Sequence, residues 1–343
     1  MSADERPLVA ARPPAAGVMT ATPSAAIASR DDALAALARV RPPQSLWTDA
    51  WRRLRRNRLA LGGLVFLAFL ILVAIFAGVI APHNPVKGDV RAAGAYRLAA
   101  WVSDSDPMYA GTWDYPLGTD SIGRDVFSRL VYATRVSLVV GFIPMAVILL
   151  VGVPIGLAAG YAGGAVDNFL MRVTDVVYAF PALLFFIIMQ VSFRDTPFGE
   201  LLGGLVLLFV TLSIVNWTGV ARLVRSETLA LKNKEFVAAA HANGATGFRI
   251  ISRHILPNAL GPIIVAGAFI VPGAIISEAV LSYLGIGIRP DVSLDAPFPT
   301  SWGQMILDGS KSWQSQPWML IAPSLAIALT TLAFTFVGDG LRD

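Results

Sequence analysis

Residues 59–80 form the uninterrupted apolar run LALGGLVFLAFLILVAIFAGVI, directly after the basic segment RRLRRNR at residues 52–58. A helix needs about 20 mostly apolar residues to cross the hydrocarbon core of a bilayer. This run is long enough, and it contains no charged residue. Because Lys and Arg beside a span favour the cytoplasmic side of a membrane, the stretch predicts a first transmembrane helix whose N-terminal end lies in the cytoplasm.

The composition of the whole chain is typical of a protein that crosses the membrane several times. Hydrophobic residues make up 55% of the 343 residues and charged residues 15%, whereas soluble domains carry about 25% charged residues. The net charge of +4 does not indicate a nucleic-acid partner, because the basic residues flank apolar runs, where they set topology. The absence of cysteine excludes disulfides, thiol catalysis and cysteine-ligated metals.

Five more apolar runs follow the first. They predict spans at residues 131–159, 173–191, 201–220, 259–286 and 318–337. Six spans with the N-terminus inside place residues 221–258 and the C-terminus inside as well, and the excess of Arg and Lys in residues 221–258 agrees with this. The expected fold class is therefore an all-α polytopic membrane protein with six transmembrane helices and cytoplasmic termini.

The segments outside the spans have compositions of their own. Residues 1–45, rich in Ala, Pro and Arg, are predicted to be a disordered cytoplasmic tail. Residues 46–58 are predicted to be a basic juxtamembrane segment. Residues 82–130 and 287–317 are predicted external loops.

The predicted cytoplasmic loop at residues 221–258 has a pattern of its own. Residues 235–242 are good helix formers, and Gly244 follows as a C-terminal stop in the left-handed conformation. A second helix is predicted from Thr246 to His254, ending before Pro257. The small residues of the first helix allow another surface to approach the backbone closely, although alanines in a helix can equally be filler.

This loop resembles the EAA loop of ABC importer permeases, in which Glu-Ala-Ala is followed by Gly and then by Ile-x-Leu-Pro. Five positions match at the family's spacing: Ala239, Ala240, Gly244, Leu256 and Pro257. The pattern departs from the family at Ala238, where the motif has Glu, and at His254, where it has Ile. The resemblance implies that these residues contact an ATPase, with Glu235 supplying a nearby carboxylate.

The resemblance extends along most of the chain. Residues 116–125, PLGTDSIGRD, are similar to a signature of the C-type permease of dipeptide, oligopeptide and nickel importers. Further matching segments are AGYAGG at residues 159–164, EAVLSYLG at 278–285, SWG at 301–303 and GDGLRD at 338–343. The likeness makes residues 131–343 the permease core and implies a type I ABC importer permease fold.

The same family likeness implies partners. They are a paralogous permease that completes a heterodimer, two ABC ATPase subunits and an extracytoplasmic substrate-binding protein. ATP and magnesium would be bound by the ATPase subunits, and no cofactor, metal or catalytic residue is expected in this chain. The expected cargo is a short peptide, and nickel chelates or another small solute are the alternative.

An acidic residue inside an apolar span is a functional candidate, because an ionised carboxylate is costly there. Glu278 lies inside the fifth predicted span. Two interpretations stay open. Either Glu278 and the nearby Ser282 belong to the translocation path or to the interface between permeases, or Glu278 is a neutral structural group.

Other polar and aromatic residues have structural interpretations. Asp167, Arg172 and Asp175 have a spacing that permits pairing on one helix face. Trp302 is expected in the aromatic belt at the outer membrane interface. Asp120 is expected to set a turn in the external loop.

Motifs that would make the chain a self-sufficient pump or enzyme are absent from the sequence. No G-x-x-x-x-G-K-[ST] loop occurs, so ATP hydrolysis is expected in a partner. An ion-coupled secondary transporter is the main alternative class, but the spans carry no chain of acids and histidines and show no obvious two-half repeat. An intramembrane enzyme would need a clustered nucleophile and base, which the sequence does not show.

Overall fold

The computed structural model describes residues 57–289, 293 and 297–342. The predicted tail at residues 1–45 and nearly all of the predicted juxtamembrane segment lie outside the described residues. Apart from an isolated bridge between Thr119 and Asp125, the described residues contain helices and turns and no strand. The predicted all-α fold class is confirmed.

The helices of the described residues are, in chain order, α1 (Arg58–Ile75), α2 (Ala77–Ile80), α3 (Val90–Ala93), α4 (Val126–Ala162), α5 (Gly164–Tyr178), α6 (Ala182–Phe193), α7 (Pro197–Glu200), α8 (Leu205–Lys232), α9 (Glu235–Ala242), α10 (Gly247–Ile250), α11 (Leu256–Tyr283), α12 (Trp302–Ser310) and α13 (Trp318–Arg342). A 3₁₀ turn at Leu201–Gly204 precedes α8, and a π turn at Ile251–Ile255 joins α10 to α11.

Among the described residues, the structure holds 5 segments long and apolar enough to cross a membrane, built around α1, α4, α8, α11 and α13. The pair α5 and α6 makes a sixth candidate if its bend of 73° is counted as one broken span. The break falls within the predicted span at residues 173–191. Its physical cause is Pro181, which disfavours a helical conformation at the preceding Phe180.

The bundle has two ends. The C-termini of α4 and α8, the start of α11 and residues 233–255 form one end, called here the loop end. At this end the Lys232 ammonium donates to the carbonyl of Tyr161 at 2.5 Å. Residues 81–125, 284–289 and 297–317 lie at the opposite end, called here the cap end.

Helices α4 and α8 run in the same direction and pack through a seam of glycines at every fourth position: Gly152, Gly156 and Gly160. A Cβ atom on Gly156 would lie 2.5 Å from the carbonyl oxygen of Ala221, and one on Gly160 would lie 2.6 Å from the Cβ of Thr228. Small residues of this kind let membrane helices approach at backbone distance. The two helices therefore form a closely packed pair.

This seam also explains why α8 is longer than its apolar run. The sequence predicts that the cytoplasmic loop begins at residue 221, but α8 continues to Lys232. Val224 and Thr228 are each 0% exposed, and both pack against the glycines of α4. The loop therefore begins only after Lys232.

A buried ion cluster holds the cap end together. Arg129 is 2% exposed, and it donates to Asp120 at 2.6 Å and to Asp308 at 2.8 Å. The side chain of Asp120 also accepts the backbone N–H of Arg124 at 2.9 Å, which confirms the predicted turn. The cluster, which sequence reasoning missed, connects the segment before α4 to α4 itself and to α12.

Trp302 lies at the cap end between α4 and α12. It is 1% exposed, and its indole N–H donates to the carbonyl of Leu130 at 3.3 Å. The prediction that Trp302 belongs to an aromatic belt is therefore wrong. A buried indole needs an acceptor for its N–H, and α4 provides one.

Candidate functional site

The helix and the turn expected within the predicted cytoplasmic loop at residues 221–258 are present. Helix α9 spans Glu235–Ala242, and Gly244 has a φ of +75°, in the left-handed region that glycine favours. Both predictions are confirmed. Residues 233–255 are called the docking loop, after the ATPase contact that the resemblance to the EAA loop implies.

The second predicted helix of the docking loop does not end before Pro257. Helix α10 passes into the π turn at Ile251–Ile255 and then directly into α11. That prediction is wrong, because the π turn, in which Leu256 donates to the carbonyl of Ile251, carries the helix across Pro257. The docking loop is therefore continuous with the membrane-spanning helix α11.

One side of the docking loop is anchored in the protein core. Val237 is 1% exposed, and Ile250 and Ile255 are each 0% exposed. They belong to a cluster with Ile148 of α4 and Val224 of α8. The loop is thus held against the helices of the bundle by buried apolar side chains.

The other side of the docking loop is exposed and carries aromatic residues. Phe248 is 82% exposed and Phe236 is 39% exposed. Phe236 lies beside the ring of His254, with 6.5 Å between ring centroids. Sequence reasoning missed both phenylalanines, because the sequence of a loop does not show which of its apolar side chains are buried and which are exposed.

The residues predicted to contact an ATPase fall into two groups. The exposed ones are Glu235, Ala238, Ala239 and Gly244, and the half-buried ones are Ala240, His254, Leu256 and Pro257. The exposed group lies on α9 and in the turn that follows it. Ala238, Ala239 and Gly244 have small side chains or none, so another protein could approach the backbone of the loop there. Phe236 and Phe248 add two apolar side chains to the outer surface of the loop.

Two salt bridges attach α5 to α8 near the loop end. Arg225 donates to both carboxylate oxygens of Asp167 at 2.5 and 2.6 Å, a forked geometry that favours a specific orientation. Arg222 donates to Asp175 at 2.9 Å. The prediction that Asp167 and Asp175 pair along their own helix is therefore wrong, because their partners lie on a neighbouring helix.

A cleft of about 410 Å³ lies between α4, α8 and α11. Its lining is mostly apolar, with Asn216 and Ser277 as its polar side chains. Two glycines, Gly219 and Gly273, also face it. The cleft is wide enough at its mouth to communicate with the surface of the chain, so it is a candidate for part of a solute path.

Glu278 and Ser282 lie beside this cleft but inside the protein core. Both are 0% exposed. One carboxyl oxygen of Glu278 accepts hydrogen bonds from the hydroxyls of Ser282 and Ser301, each at 2.6 Å. Ser301 caps the N-terminus of α12, so Glu278 connects α11 to the cap end. The cleft is instead faced by the neighbouring Ser277.

Two family models match the sequence. A model described as "Binding-protein-dependent transport system inner membrane component" matches residues 152–343. A second, described as "N-terminal TM domain of oligopeptide transport permease C", matches residues 45–99.

Several curated proteins are similar over most of their length. The dipeptide transport system permease protein of Bacillus subtilis is 40% identical over 305 residues, which cover 88% of this chain and 86% of that protein. The oligopeptide transport system permease protein of the same organism is 37% identical over 299 residues, covering 87% and 88%. Among solved structures, an inward-facing form of the MetNI methionine ABC transporter covers 61% of this chain and 93% of the matched chain, with 18% identity and a TM-score of 0.48.

Proposed function

The chain belongs to the family of binding-protein-dependent transport system inner membrane components, and from this premise we propose that it forms half of the translocation path of a peptide importer whose ATPase subunits dock on residues 233–255. It is the permease component of an ABC importer, a multi-pass protein of the inner membrane and a non-catalytic subunit. The cargo, the docking site and the subunit composition are the proposed parts.

The exposed aromatic surface of the docking loop is the observation that carries the docking proposal. Phe248 is 82% exposed, although the opposite side of the same loop is buried in the core. Phe236 is exposed on the same loop, and aromatic side chains such as these are enriched at protein–protein interfaces. The small residues on α9 would let a partner approach the backbone. The partner that fits a permease of this family is an ATPase subunit.

The charges near the loop end favour a cytoplasmic position for it. Basic residues dominate the end of α8 and the docking loop: Arg222, Arg225, Lys232, Lys234, Arg249 and Arg253. The acidic residues there are Glu227 and Glu235. An excess of Lys and Arg marks the cytoplasmic side of membrane proteins. This side is where ATP is available to the partner subunits.

The proposed cargo is a di- or oligopeptide. The similar proteins from Bacillus subtilis are named as dipeptide and oligopeptide permeases. The cleft between α4, α8 and α11 offers a mainly apolar wall with the Asn216 amide and the Ser277 hydroxyl. Such a wall suits peptides of varied side chains, because it offers only two polar side chains that could select one peptide over another. A second, paralogous permease would close the path, and a binding protein would deliver the peptide at the cap end.

A pair of matched substitutions tests the docking proposal. Phe248→Asp should abolish peptide uptake and remove the ATPase from the purified complex, because it places a charge where an apolar contact is needed. Trp113→Asp is the control, since Trp113 is similarly exposed (78%) but lies at the cap end. The control should retain the ATPase.

The proposed function would be contradicted if the Phe248→Asp protein inserted normally, kept its ATPase and took up peptides like the unmodified chain. Uptake should be measured with a panel of di- and oligopeptides in cells that lack the native subunit. Loss of nickel uptake without loss of peptide uptake in those cells would contradict the proposed cargo.

A further inference from the structure

We propose that Tyr161 is a positioning residue of the transport cycle, which connects the docking loop to the α4–α8 pair so that a displacement of the loop moves both helices. The inference rests on the proposed docking of an ATPase at residues 233–255. Tyr161 is the last residue but one of α4. It belongs to the segment AGYAGG, which the docking proposal does not use.

Tyr161 contacts both helices of the docking loop. A Cβ atom on Gly247 of α10 would lie 2.9 Å from Cε1 of the Tyr161 ring, so the ring lies directly against the backbone of α10. The Tyr161 hydroxyl lies 3.4 Å from Nε2 of His241 on α9. The ring is half-buried and packs against the apolar cluster that anchors the loop. One side chain therefore touches both α9 and α10.

The same residue is attached to the end of α8. The Lys232 ammonium donates to the carbonyl oxygen of Tyr161 at 2.5 Å, and it lies 5.3 Å from the centroid of the Tyr161 ring. A cation at this distance from an aromatic face is attracted to it. A positive charge is also favourable at the C-terminus of α4, where carbonyl groups lack helical partners. Tyr161 thus lies where α4, α8, α9 and α10 meet.

The glycine seam makes α4 and α8 respond together. The close approach of backbones at Gly156 and Gly160 leaves no space for one helix to slide past the other without opening the contact. Densely packed interiors transmit displacement in this way rather than absorbing it. The forked salt bridge between Arg225 and Asp167 attaches α5 to the same pair. A force on Tyr161 would therefore act on a group of three helices.

This group of helices borders the cleft. Ile148 of α4, Asn216 of α8 and Ser277 of α11 all line it. The docking loop continues into α11 through the π turn, whereas it contacts α4 and α8 through Tyr161 and through the buried apolar cluster that anchors it. The two attachments therefore lead to different helices of the cleft wall. Movement of the loop would consequently change the width of the cleft.

The simpler alternative is that Tyr161 only fills space under the loop. In that case its removal would weaken the fold of the loop, and ATPase binding and uptake would fall together. A positioning role predicts a different result. The complex would assemble and hydrolyse ATP, but fewer peptides would be carried for each ATP consumed.

The test uses the whole transporter complex, purified and reconstituted in liposomes with its binding protein. Tyr161→Ala is expected to lower peptides imported per ATP hydrolysed by about fivefold or more, in the range of coupling effects between distant sites. The ATPase content should stay unchanged. Tyr161→Phe keeps the ring contacts with Gly247 and Lys232 and should stay within about twofold of the unmodified complex, since the contact to His241 is long. Tyr132→Ala is the matched control, because Tyr132 is a half-buried tyrosine near the other end of α4.

A double substitution tests the contact itself. Gly247→Ala places a methyl group against the Tyr161 ring and should also lower the import ratio. Combined with Tyr161→Ala, the added methyl group meets no ring and should cause no further loss, since residues in contact have non-additive effects. Additive losses would overturn the proposal.

Other results would also overturn it. These are an unchanged import ratio in Tyr161→Ala, or a fall in uptake that is matched by loss of the ATPase from the complex. If the unmodified chain purified without any ATPase, the proposed function would fail, and this inference would fail with it.

Discussion

Replacing Gly156 by alanine tests the packing of α4 against α8 on which the account of the bundle depends. The new Cβ would lie 2.5 Å from the carbonyl oxygen of Ala221 and 2.7 Å from the Cβ of Val224, whereas ordinary contact begins at 3.4 Å. Both neighbours belong to α8: one is a backbone atom, and the other is a Cβ attached directly to the backbone. Neither can rotate away from the new methyl group. The helices must separate or bend.

The expected cost follows from two opposing effects. Overpacking a well-packed contact costs about 1–3 kcal/mol, while replacing glycine by alanine inside a helix gains about 0.5–1 kcal/mol. The net result is a loss of stability of about 1 kcal/mol, at the centre of a range of about 0–2.5 kcal/mol. Gly219→Ala is the control, because Gly219 lies within α8 and nothing lies within 4 Å of its Cβ position. It should be neutral or stabilising.

The assay is thermal unfolding of the detergent-purified chain, followed by loss of the monodisperse peak in size-exclusion chromatography. Because membrane proteins often unfold irreversibly, all variants must be heated at one rate. Gly156→Ala should have a lower transition temperature than both the unmodified chain and Gly219→Ala. A Gly156→Ala protein as stable as the Gly219→Ala protein would refute the reasoning.

Three further predictions concern the cap end and the docking loop. Arg129→Met should destabilise the chain by about 1.5–3 kcal/mol, because the buried carboxylate of Asp120 loses one of its two cations and keeps only Arg124 at 2.7 Å; retention of the unmodified melting temperature would contradict this. Glu278→Gln should retain uptake and melting temperature, since an amide oxygen can still accept the hydrogen bond from Ser301. Glu278→Leu should lower both, because it leaves the buried hydroxyl without its acceptor. Equal behaviour of the two variants would count against a hydrogen-bonding role. Gly244→Trp should abolish uptake without preventing membrane insertion, because the open space beside Gly244 is where a partner would approach. Normal transport by the inserted variant would show that no partner occupies this space.

Local sequence signals predicted the helical elements well. Apolar runs of sufficient length and the basic residues beside them identify membrane-spanning helices without any knowledge of packing. Helix α9 and the positive φ of Gly244 follow from local propensity alone. These features depend on residues that are neighbours in the chain.

Features that depend on distant residues were not predictable in the same way. Arg129 and Asp308 are separated by 179 positions, and no local pattern indicates that they meet. Asp167 has a possible partner on its own helix, yet Arg225 on α8 offers a better geometry. Which side of the docking loop faces outward depends on where α4 and α8 lie beneath it, so the exposure of Phe248 emerged only from the fold.

The most direct test of the central claim is site-specific photo-crosslinking from the docking loop in the intact transporter. A benzophenone amino acid is introduced at Phe248, and in a parallel sample at Trp113 as an equally exposed position at the cap end. The account predicts a covalent adduct between position 248 and the ATPase subunit, and no such adduct from position 113. An ATPase adduct from position 113, or none from position 248 in a transporter that hydrolyses ATP and imports peptide, would contradict it.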